Sequence, residues 1–150
     1  MKHVAQTRHL VRRFVGSLSR REPEPADTAW AESLLLDGER QLWCRLSAPD
    51  RRHAIVVARR FEQLGSVEWA RDEMAGALLH DVGKLADDLG TFSRVVATVV
   101  GPRTMRFRRY HDHEGIGAIM LAAAASSTVT VELVRGNGRA AAALAQADNI

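Results

Sequence analysis

Ala77-Leu78-Leu79-His80-Asp81-Val82-Gly83-Lys84 is the stretch on which the reading of this chain turns. An apolar run leads into a His-Asp pair, and a glycine and a lysine follow. Imidazole nitrogen and carboxylate oxygen side by side suit a borderline or hard divalent metal. At a helix end, adjacent residues point about a third of a turn apart. An ion shared by both must then sit at their common edge, and two further ligands must come from other helices. Taken alone, a His-Asp dipeptide says little, because a histidine capping a helix end is its ordinary structural reading.

Upstream, Ser47-Ala48-Pro49-Asp50 opens a helix: serine can cap it, proline suits its first turn, and Asp50 favours its positive end. Ala54, Ile55, Val57, Ala58, Phe61 and Leu64 share its inward face, His53 lies near its start, and Gly65-Ser66 ends it. A helix over about 67–79 leads into the His-Asp pair. Downstream, residues 92–100 form an apolar helix, with a buried strand as the alternative for its β-branched run. Gly101-Pro102 turns the chain into a basic stretch over 103–109. Helices follow over about 111–125, 128–135 and 140–148, the last ending in Asp148. A carboxylate closing an Ala/Leu-rich helix is not there for packing, since its burial is costly without a partner.

Before Ser47, residues 1–18 form a helix with a basic face, Arg20 to Pro25 break it, and a second helix covers about 26–36. Asp37-Gly38 reads as its stop, and a short helix follows over 39–46. Cys44 falls at a half-buried position of that helix as a structural thiol. The fold class expected is all-α: one bundle joined by short loops, with residues 1–46 packing on a core of 47–150.

At 150 residues the chain has the length of one domain. A single cysteine forms no internal disulfide and fits a reducing, cytoplasmic setting. The longest uncharged stretch, 115–131, is too short and too polar to span a bilayer, and the basic start lacks the apolar core of a secretion signal. The net charge of +3 comes from arginine and attracts phosphates only weakly. Phosphate-binding loops, dinucleotide-binding glycine patterns, zinc-finger cysteines and the serine elbow are all missing from the sequence.

The order His53, His80-Asp81, Asp148 resembles the HD superfamily of metal-dependent phosphohydrolases, in its His-Asp-x-Gly-Lys form. "RRHAIVVARRFE" looks like that family's first-histidine helix and "ALLHDVGK" like its His-Asp helix. "HDHEGIGAIML" is similar to the helix carrying a further histidine, and "LAQAD" to the terminal aspartate. The resemblance covers about 47–148 and implies a helical bundle with one divalent metal between helices, held by His53, His80, Asp81 and Asp148. The cation would be Mn, Fe, Co, Ni, Zn or Mg.

The implied activity is hydrolysis of a phosphoester of a nucleotide or related small molecule, with Asp81 and Lys84 catalytic. Lys84, His113, Arg106 and Arg109 would contact substrate. Each has a plainer reading: Lys84 as a solvated helix-end lysine, His113 as an ordinary polar position, the arginines as a solvated loop. Gly83 gives the backbone room near a ligand. Two-metal members supply another histidine before the last aspartate, where this chain has Val134-Arg135-Gly136-Asn137-Gly138, so one of the histidines that a possible second metal would use is missing there. That departure, and the lack of an acid in the turn after Asp81, motivate the alternative: a catalytically weak or inactive HD domain that retains the metal and acts as a nucleotide sensor or protein-interaction module. Neither a membrane nor a nucleic acid is expected as a partner, and the oligomeric state is not legible.

Overall fold

A computed structural model describes residues 19–65, 67–86 and 113–149. The expected helices over 1–18 and 92–100, and the basic stretch over 103–109, lie outside the described residues. Among those described, every regular element is helical. They are α1 (Pro25–Ser33), α2 (Asp37–Arg45), α3 (Ala48–Leu64), α4 (Arg71–Leu78), a 3-10 turn (Val82–Ala86), α5 (His113–Ala123), α6 (Thr128–Val134) and α7 (Ala141–Asp148). The all-α fold class thus holds, and no described helix is long and apolar enough to cross a membrane.

Local chemistry accounts for most helix starts. The backbone N–H of Asp50 donates to the Ser47 hydroxyl at α3, and Thr130 N–H donates to Ser127 at α6. The spacing of Ala54, Ile55, Val57, Ala58 and Phe61 buries one stripe of α3. That stripe packs against α4 and α7, while α4 also packs on α6, and α5 on both α6 and the 3-10 turn. Every residue from Glu73 to Leu79 is buried, so α4 is the central rod of the bundle. One hydrophobic cluster joins Ala31, Leu42 and Trp43 of the first two helices, with Leu35 and Leu46 just after them, to the rest.

Four expectations are corrected. Leu64, expected on the inward face of α3, is 39% exposed as the last residue of that helix. Asp37-Gly38 does not stop α1; it forms the first turn of α2, with Leu36 as cap and its N–H bonded to the Glu39 carboxylate at 2.8 Å. Gly38 is there because a Cβ would collide with the carbonyl oxygen of Ala124, where α2 meets the end of α5. The fourth helix starts at Arg71 rather than near 67, because the Trp69 indole N–H reaches back to the Phe61 carbonyl at 2.8 Å and holds the connection as a loop. Cys44 is exposed, not half-buried, since Leu42, Trp43 and Leu46 take the inward face of α2.

Two buried carboxylates went unforeseen. Glu73, 4% exposed, receives both prongs of the Arg139 guanidinium at 2.7 Å and the Ala70 N–H at 2.9 Å. Glu39, fully buried, receives Arg71 at 3.0 Å. Paired and hydrogen-bonded, such charges are tolerable inside a fold. They pin α4 at its N-terminal end, opposite the end that carries the His-Asp pair.

Candidate metal centre

Three helices bring His53, His80 and Asp148 together. His53 comes from the first third of α3, His80 from the turn after α4, and Asp148 from the last residue of α7. One ligand atom from each lies within 4.8 Å of the others, which is a spacing that could hold a metal ion. His53 Nε2 is 3.0 Å from Asp148 Oδ1, and His80 Nε2 is 3.5 Å from the same oxygen. The two imidazole rings are tilted at 57° with centroids 5.6 Å apart. Packing of α3 against both α4 and α7 makes this convergence possible.

The orientation of His80 is the informative detail. Its Nδ1 is 2.9 Å from the Ala77 carbonyl, one of the acceptors left over at the end of α4. Nδ1 must therefore carry a proton and donate it. In the neutral ring this leaves Nε2 with a bare lone pair. That nitrogen is buried and makes no hydrogen bond. Its nearest charged neighbours are Asp148 Oδ1 at 3.5 Å and Asp81 Oδ2 at 3.6 Å, both electron-rich oxygens. A lone pair facing two carboxylates is unfavourable unless a cation lies between them. A proton on Nε2 or a metal ion would serve, and the donor set fits either.

Without metal, protonation follows this logic. Burial lowers the His80 pKa, but the Asp148 contact, the Asp81 charge and the Ala77 carbonyl outweigh it and the pKa rises above 6.5. Asp148 is held far below the usual carboxylate range by its contacts with His53 first and His80 second, against the opposing effect of its burial.

Asp81 is near this group but outside it. Its Oδ2 is engaged by the Lys84 ammonium at 2.5 Å, one turn on. Lys84 Nζ also lies 3.9 Å from Asp50 Oδ1, on the helix of His53. In the sequence Asp50 reads only as part of the helix start. Its place three residues before His53, on the same face, was the available signal.

The glycine of the motif has a different reason from the one expected. A Cβ on Gly83 would collide with the His113 carbonyl oxygen and lie 3.0 Å from Gly117 N. Gly83 thus lets the 3-10 turn press against the start of α5, rather than making room for a ligand. His113 is exposed at that start and is not one of the three clustered residues. Arg106 and Arg109 lie outside the described residues.

No family model, no curated protein and no solved structure matches this chain.

Proposed function

We propose that the chain is a metal-dependent phosphohydrolase of the HD type, acting on a phosphoester of a nucleotide or related small molecule in the cytoplasm. The observation that supports this most is the bare Nε2 of His80, oriented by Ala77 toward Asp148 and Asp81 and beside His53. His53, His80 and Asp148 would hold one divalent cation of the Mn, Fe, Co, Ni, Zn or Mg group, and Asp81 would complete the set. When bound, such a cation supplies a Lewis acid that acidifies water and neutralises phosphoryl charge. The chain's own residues do the rest. Ala77 keeps His80 in the tautomer that offers Nε2. Lys84, 41% exposed at its side chain, presents an ammonium to the charge growing on a phosphoryl group. His113, Arg106 and Arg109 are the further substrate contacts proposed.

A second reading, a metal-containing nucleotide-sensing or protein-binding domain with little turnover, draws on one observation. Asp81 and Lys84, the two residues expected to act on substrate, are bound to each other. Metal analysis of the purified chain, with phosphate release measured across a nucleotide panel in each candidate cation, separates the two. Metal-dependent release lost in His80→Ala supports the enzyme. Metal bound without turnover supports the sensor. No metal bound refutes both.

A further inference from the structure

Resting on the metal-centre reading above, we propose that Asp50 is a positioning residue that takes Lys84 from Asp81 when a divalent cation binds, freeing Asp81 to join the ligands. One oxygen, Asp81 Oδ2, is contested from two sides. Lys84 Nζ lies 2.5 Å from it and His80 Nε2 lies 3.6 Å from it. A carboxylate oxygen bonded to an ammonium is a poor donor, and an ammonium beside a divalent cation is repelled. Lys84 must therefore move for Asp81 to coordinate through Oδ2, the oxygen that faces His80.

Asp50 is where it can go. Its Oδ1 is already 3.9 Å from Nζ, so a shift of about 1 Å makes a full charge-assisted hydrogen bond. Its Oδ2 accepts the Ser47 hydroxyl at 2.5 Å, which fixes the carboxylate and leaves Oδ1 toward the lysine. The side chain of Lys84 is 41% exposed, so its stem has room to swing. The ammonium stays between Asp81 and Asp50 throughout, which keeps a positive charge available to an incoming phosphoester.

The test is a double-mutant cycle on Mn2+ affinity in the full chain, with free Mn2+ counted by electron paramagnetic resonance. Asp50→Asn is expected to weaken binding about two- to fivefold, the range of a partly exposed ion pair. Lys84→Met is expected to strengthen it. The double variant should bind as Lys84→Met does, because Asp50 acts only through the lysine. Asp50→Glu should restore affinity. If Asp50→Asn costs the same factor in both backgrounds, Asp50 acts on the cation or on the helix start directly, and the inference is overturned.

Asp50 also supports the start of α3, so a second measurement does not depend on its substitution. The Lys84 side-chain nitrogen resonance of the unmodified chain should move on Zn2+ saturation; a resonance that stays put overturns the proposal. His80→Ala separates the two levels. Loss of Mn2+ binding there, with an additive cycle, sinks only the lysine transfer. Full binding there sinks the metal centre and this inference with it.

Discussion

Replacing His80 by alanine should abolish a stabilisation that metal confers on the wild-type chain. His80 Nε2 is buried without a hydrogen bond, and the oxygens around it are 3.5 and 3.6 Å away. A ligand that binds only the folded state stabilises it by about 2.7 kcal/mol at a hundred times its dissociation constant. For a domain of this size, about 1 kcal/mol corresponds to about 2–4 °C, so the melting temperature should rise by about 5–10 °C. The alanine variant loses the central ligand and should gain about 1 °C or less, by the same relation. Without metal it should already be weaker by about 1–3 kcal/mol, because the Ala77 carbonyl is left without its donor. The assay is thermal denaturation by circular dichroism after exhaustive chelation, then with Mn2+, Co2+ or Zn2+ restored. Equal metal-induced shifts in wild type and variant would refute the reasoning, as would a wild type that no cation stabilises.

The metal-free chain should lose stability as the pH rises above about 6.5. The raised His80 pKa contributes stability below its unfolded value, and that contribution is lost on deprotonation. The lowered Asp148 pKa contributes above 3.8 and is lost only in stronger acid, so the metal-free optimum lies between. Metal affinity should run the opposite way, rising with pH as the His80 proton leaves; urea denaturation of the chelated chain across pH checks the first sign and calorimetric metal titration the second, and an affinity that falls with pH contradicts it. Gly83→Ala should destabilise by about 2 kcal/mol or more, since its Cβ would meet the backbone of α5 and no side-chain rotation relieves that; urea denaturation measures it, and a neutral result would disprove the close approach. Arg139→Ala should cost about 2 kcal/mol by leaving Glu73 buried without its cation, and Arg139→Ala with Glu73→Gln should recover part of the loss.

Local signals carried a large share of what could be read in advance. Ser47 and Ser127 mark helix starts through hydrogen bonds spanning three residues, and the α3 stripe follows helical spacing. Where the reading failed, a distant partner was responsible. Gly38 looked like a stop because glycine often ends helices, yet it answers to Ala124. Val67 to Ala70 looked helical, yet Trp69 is tied to Phe61 across the loop. Glu73 sits in the first turn of α4, and nothing nearby in the sequence points to its partner Arg139, 66 residues on.

The same division runs through the site. Residue types and order display the His-Asp pair, its helical setting and the chemistry it suits, and the family resemblance they carry implies His53, His80, Asp81 and Asp148 as candidates. The folded chain decided that His53 and Asp148, 95 residues apart, come within 3.0 Å, that Asp81 is held by Lys84, and that Asp50 stands next to that lysine. Helix formation depends on neighbours three or four positions away, and the sequence displays those directly. Convergence depends on which helix faces pack, and that is settled by burial summed over the whole core.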